Sequence, residues 1–103
     1  MYYEDAILKI ESEWEPENGF FWRLRQGLFA EEDFDRVLAK VSSVSIPSDD
    51  TLIPKRLVSL IWYIPLFMTW QQERVELAGS DAESYSKAIT EMTNEVTRVL
   101  GFP

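Results

Sequence analysis

The chain has 103 residues and a mass of 12.0 kDa, lacks histidine and cysteine, and carries a formal net charge of −8. These absences exclude thiol chemistry and remove the usual groups for proton transfer near neutral pH and for transition-metal ligation. A hydrophobic content of 46% predicts a folded chain, and the length predicts one domain over residues 1–103.

The negative charge is concentrated in the first third of the chain. Residues 1–35 contain ten acids and three bases, a net charge of −7, whereas residues 36–103 together carry −1. A negative surface repels nucleic acid and anionic membranes and attracts basic partners. Solubility alone is the alternative explanation of this charge.

Several features predict a cytoplasmic protein. Residues 1–9 carry acids where a secretory signal carries bases, so we expect no export signal. The lack of cysteine fits a reducing compartment. The longest apolar run, 57–68, is shorter than the roughly 20 residues of a membrane-spanning helix, so it predicts a buried core helix.

The first half of the chain predicts three helices. Tyr3, Ile7, Ile10 and Trp14 recur at helical spacing, and the turn residues 16–19 end that first helix. A short second helix over 20–26 would be capped by Gly27. Its expected buried side consists of Phe20, Phe21, Leu24 and Leu28.

The third helix is predicted to begin near Glu31, after a hydrophobic staple between Phe29 and Phe34 with Ala30 as the cap. The loop 42–50, rich in serine and aspartate, follows it.

The fourth helix is predicted to run from near Pro54 to about Leu77. Twenty-four residues give roughly 36 Å of helix, which exceeds the ~26 Å expected across a domain of this length. Pro65 would therefore kink or break it. Because the helix is apolar all round from 57 to 68, it is expected at the centre of the fold.

The fifth helix is predicted to follow a capping box at Ser80 and Glu83. Its apolar stripe consists of Tyr85, Ile89, Met92, Val96 and Val99. These patterns together predict an all-α bundle of about five helices.

No catalytic, metal or cofactor site is predicted. The acids fall opposite the apolar stripes, where solvation is expected, and Asp49 and Asp50 lack the pattern of a calcium loop. A bundle metal site usually needs histidine, and no glycine-rich phosphate loop is present. An enzyme that uses only carboxylates and hydroxyls stays as the third hypothesis.

The four tryptophans are expected in different surroundings. Trp14 and Trp62 are predicted to be core residues, and Trp70 a residue at the rim of the core. Trp22 is either buried in a crevice of the bundle or exposed as an interface anchor. Arg23 and Arg25 beside it are weak evidence for nucleic-acid binding, and we expect both to pair with acids.

The segment Asn18-Gly-Phe-Phe-Trp-Arg-Leu-Arg-Gln-Gly-Leu-Phe29, followed by acids and Phe34, resembles a pattern of small bacterial immunity proteins. These proteins accompany polymorphic toxins, including contact-dependent systems. Phe20 stands where the pattern has serine, and residues 61–64 form a second point of similarity. The resemblance implies a helical protein that binds and blocks a cognate toxin domain and has no catalytic residues.

The leading hypothesis is therefore an immunity protein that binds a basic toxin domain, as a monomer or weak homodimer, without binding nucleic acid or membrane. The predicted partner face is the end of the first helix and the following turn, with Glu11, Glu13, Glu15, Glu17 and Trp22. The second hypothesis is a helical adaptor or structural protein that self-associates through the stripe of the last helix.

Overall fold

The computed structural model describes residues 3–47 and 52–103, and this part of the chain is helical without a strand. A 3-10 helix, Ser12–Trp14, directly follows the first α-helix. The six α-helices are α1 (Glu4–Glu11), α2 (Phe20–Arg25), α3 (Glu31–Ser42), α4 (Lys55–Trp70), α5 (Gln72–Leu77) and α6 (Ala82–Leu100). The predicted all-α bundle is confirmed; Asp49 and Asp50 lie outside the described residues.

The core forms where α4 packs against α1 on one side and α6 on the other. Helix α3 packs against α1, α2 and α6. The inner face of α4 has helical periodicity because it buries Leu57, Leu60, Ile61, Ile64, Phe67 and Met68. At the end of α4, the buried hydroxyl of Tyr85 donates a hydrogen bond of 2.7 Å to the Met68 carbonyl.

Helix α4 runs through Pro65 without a break and ends at Trp70, not near Leu77 as predicted. The interruption lies at Gln71, whose N–H is shared between the carbonyls of Phe67 and Met68 at 3.1 and 3.2 Å. Sixteen residues give roughly 24 Å of helix, which fits the expected domain width. The length argument therefore predicted an interruption correctly and placed it at the wrong residue.

A glycine cap follows α2. Gly27 has a φ of 80°, and Leu28 N–H reaches back to the Arg23 carbonyl at 2.9 Å, the pattern of a Schellman motif. Because the chain reverses at Gly27, Leu28 leaves the rotation of α2. It is 48% exposed, so its predicted place on the buried side is wrong.

The predicted start of α3 agrees with the structure, whereas the predicted cap of α6 does not. The staple before α3 is confirmed, with Ala30 as the N-cap and the rings of Phe29 and Phe34 6.2 Å apart. The cap of α6 is one residue later than predicted: Asp81 is the N-cap, and its side chain accepts a hydrogen bond of 2.8 Å from Ser84 N–H.

The stripe of the last helix faces the interior of the molecule. Tyr85 and Met92 are fully buried, and Val96 and Val99 are nearly so. Helix α6 packs against α3 and α4. The hypothesis of self-association through this stripe is therefore wrong, because the residues it requires already pack within one chain.

Candidate functional site

A buried carboxylate lies at the centre of the predicted partner face. The Glu13 side chain is only 2% exposed and accepts four hydrogen bonds. Arg36 donates two of them, at 2.8 and 2.9 Å, Lys40 donates one at 2.6 Å and the Phe20 backbone N–H donates one at 3.1 Å. The prediction that the acids on this face are solvated is wrong for Glu13.

The hydrogen bonds keep Glu13 ionised. Burial alone would raise its pKa, but the donors on Arg36, Lys40 and Phe20 outweigh burial and lower the pKa from 4.5 to about 2. The same contact with Glu13 raises the pKa of Arg36. A carboxylate with this pKa holds no proton near neutral pH and has little basicity, so Glu13 is an anchor between the α1 end, α2 and α3.

The segment that resembles immunity proteins surrounds this anchor. The Asn18 carbonyl accepts a hydrogen bond of 3.3 Å from Arg36, and Phe20 supplies the N–H that reaches Glu13. Gly19 packs so tightly that a Cβ at this position would lie 2.3 Å from the Glu13 carbonyl oxygen. The first three residues of the motif therefore have a clear structural role, since they close the turn onto α3.

The other four predicted partner residues have three different surroundings. Glu11 is partly exposed and pairs with Arg56 at 2.7 Å. Glu15 and Glu17 are exposed in the turn, where Glu17 adopts a φ of 71°. Trp22 is partly buried on α2. The structure thus leaves Glu15 and Glu17 as the fully solvent-facing members of the predicted face.

The arginines beside Trp22 have intramolecular partners. Arg23 lies 3.1 Å from the carboxylate of Asp33. The guanidinium of Arg25 lies over the ring of Trp14, 5.3 Å from its centroid, and over Phe67 at 5.5 Å. Arg23 therefore pairs with an acid as expected, whereas Arg25 is held by cation–π contacts.

Exposed acids lie around the turn and the first half of α3. Arg36 joins these two segments, because it contacts Asn18 in the turn and Asp33 on α3. Its own charge, and that of Lys40, face the buried Glu13. We define the acidic surface as the exposed carboxylates of this region: Glu15, Glu17, Glu31, Glu32 and Asp35.

A second surface lies on the outer side of α4, where Trp62 is 50% and Trp70 61% exposed. The prediction of Trp70 near the rim agrees with this placement; the prediction of Trp62 as a core residue is wrong. The ring of Tyr63 lies 5.8 Å from each of theirs. We define the aromatic face as Ser59, Trp62, Tyr63, Leu66 and Trp70.

Part of the aromatic face forms a groove of about 390 Å³. Trp14 forms one wall and packs against the core as predicted, with its ring 4.5 Å from Phe21. Only the packing of α4 distinguishes its two sides, because residues 57–68 are apolar all round. Trp62 lies about 160° around the helix from the centre of the buried stripe, at 100° per residue.

The described residues offer little to reaction chemistry. Within 3–47 and 52–103, no group of three or more acids has the arrangement of a metal site. Ser84 and Lys87 have the spacing of a serine–lysine pair, and both are exposed on α6.

None of the helices in the described part of the chain combines the length and apolar character needed to cross a bilayer. Comparison of the chain with protein-family models, curated proteins and solved structures found no significant match.

Proposed function

We propose that this chain is a non-catalytic binding protein, and specifically an immunity protein that binds and neutralises a basic toxin domain. The observation that carries the proposal is the acidic surface, whose five exposed carboxylates lie near two bases, Arg36 and Lys40, that are paired with the buried Glu13. The resemblance of residues 18–34 to immunity proteins supplies the specific activity. The partner is a protein with a positively charged surface.

The electrostatics of the acidic surface favour association with a basic partner. Arg36 pairs with Glu13 and Asp33, and Lys40 pairs with Glu13, so these two cations are matched by two carboxylates outside the acidic surface. The exposed acids therefore keep their negative potential at the position where a partner would approach. Such a potential raises the association rate and disfavours acidic partners.

The same network argues against the enzyme hypothesis. Glu13 is the one buried charged side chain among the described residues. Its oxygens are occupied by donors and its pKa is about 2, so it is unsuited to accept a proton from a substrate at neutral pH. Binding requires only a stable scaffold and a surface complementary to the partner, and the acidic surface supports this proposal.

The proposal is tested by co-expression with the product of a neighbouring gene that is toxic on its own. We expect the chain to restore growth and to bind the purified toxin at a rate that falls steeply with added salt. Failure to restore growth with every toxic neighbour would contradict the proposal.

A matched pair of variants tests the acidic surface itself. Glu15→Gln/Glu17→Gln removes two charges from the surface, whereas Glu73→Gln/Glu83→Gln removes two exposed charges from α5 and α6. We expect the first variant to associate roughly tenfold more slowly at low salt and the second to change little. Equal effects would show that only net charge matters.

A further inference from the structure

Within residues 3–47 and 52–103, the aromatic face stays largely open to solvent. Trp62 and Trp70 remain half or more exposed although α4 is packed by α1 and α6 on its inner side. Exposed tryptophan at the centre of an apolar patch is typical of protein interfaces. The acidic surface lies on α3 and the turn, so the two surfaces are separate.

The two tryptophans of the aromatic face lie symmetrically about Leu66. Trp62 and Trp70 lie four residues before and four residues after Leu66, about 12 Å apart along the helix. They flank the outward direction of α4 symmetrically, about 40° to either side of Leu66 at 100° per residue. A second α4, antiparallel to the first and centred on Leu66, would therefore place each Trp62 beside the other copy's Trp70.

The charges at the two ends of this face are opposite. The exposed Lys55 is the first residue of α4, at the positive end of the helix dipole. Glu73 and Glu76 lie beyond the other end, on α5. The exposed Arg74 lies between them and donates hydrogen bonds to the Arg25 carbonyl and to Gln71, so this end carries a net charge of −1.

We propose that two copies of this chain form a homodimer through the aromatic face, with their α4 helices antiparallel about a two-fold axis at Leu66. This arrangement brings the lysine end of each copy to the acidic end of its partner, which favours antiparallel over parallel pairing. A symmetric contact of this kind is self-complementary. Because the face carries balanced charges, it avoids the repulsion that a net charge of −8 imposes elsewhere on the surface.

Sedimentation equilibrium of the full chain, from about 1 µM to about 1 mM, tests the dimer and gives its dissociation constant. We expect Trp62→Ala to weaken the dimer at least about tenfold. The control is Leu8→Ala, which removes an exposed apolar side chain from α1 and is expected to leave the constant unchanged. Circular dichroism of each variant verifies that the helices are retained.

A charge exchange tests the antiparallel geometry. Lys55→Glu and Glu76→Lys are each expected to weaken the dimer several-fold, and the double variant is expected to recover most of that loss because the pair is restored across the interface. A strict monomer over the whole concentration range would overturn the dimer, and so would a double variant weaker than either single one.

These outcomes are independent of toxin neutralisation. The acidic surface and its variants lie on other elements, so a monomeric chain that still protects cells would refute the dimer alone. A dimer that fails to protect cells from any toxic neighbour would refute the proposed function alone.

Discussion

Replacing Glu13 by glutamine tests whether the buried carboxylate anchors the fold. The substitution keeps the shape of the side chain and removes its charge. One amide oxygen still accepts hydrogen bonds, but the new NH2 group faces donors on Arg36 or Lys40, which lie 2.6–2.9 Å from the carboxylate oxygens. Donor then meets donor, Lys40 loses the charge it pairs with, and Arg36 keeps only Asp33.

The pKa of Glu13 gives the size of the effect. A fall from 4.5 to about 2 corresponds to roughly 3 kcal/mol of stabilisation of the ionised form in the folded state. We therefore expect Glu13→Gln to lower the free energy of unfolding by about 3 kcal/mol at pH 7. For a domain of this length, the melting temperature should fall by roughly 15 °C.

The pH dependence of this effect has a definite sign. Because the folded-state pKa of Glu13 is depressed, the unfolded chain binds the additional proton, and the stabilisation is lost as pH falls from about 4.5 to about 2. The glutamine variant has no such proton to bind. The stability gap between the two proteins should therefore be full at pH 7 and should shrink toward pH 2.

Urea denaturation followed by circular dichroism, repeated between pH 7 and pH 2.5, measures this gap. Glu15→Gln is the control, because Glu15 is exposed two residues away and its loss should change stability by less than about 0.5 kcal/mol. Equal stability of wild type and Glu13→Gln at pH 7, or a gap that does not change with pH, would refute the reasoning.

Three further substitutions test the packing, and urea denaturation measures each. Gly19→Ala forces a Cβ against the Glu13 backbone at 2.3 Å and should destabilise the fold by about 2–3 kcal/mol; a neutral effect would contradict the tight turn. Tyr85→Phe removes a buried hydroxyl hydrogen bond and should cost about 1 kcal/mol, so unchanged stability would show that the bond contributes little. Asp81→Ala should lower the stability measurably because α6 loses its N-cap, whereas Ser80→Ala should leave it unchanged; the reverse order would support the predicted cap at Ser80.

The local patterns of the sequence were sufficient for the helices and most of their buried faces. The stripe of α6 and the staple before α3 each have the predicted spacing, and the structure places them in the core as expected. Helical periodicity is a property of neighbouring residues, so it can be read without knowing the fold. The sequence patterns did not predict the end of α4 at Gln71, because Pro65 was the stronger local signal for an interruption of the helix.

The sequence also misplaced two side chains for the same physical reason. Glu13 was expected in solvent, but Arg36 and Lys40, 23 and 27 residues further along the chain, bury it. Trp62 was expected in the core, but it is 50% exposed because the described helices pack on the other side of α4. Neither outcome depends on the residue or its neighbours in sequence; both depend on which elements pack beside it.

The sequence by itself determined an acidic, helical chain with little of the chemistry that catalysis needs, because composition and period are local quantities. Only the tertiary structure decided which carboxylate is an anchor, which acids remain at the surface and which tryptophans face outward. Burial is decided between elements, since a side chain is desolvated only when a distant part of the chain packs over it.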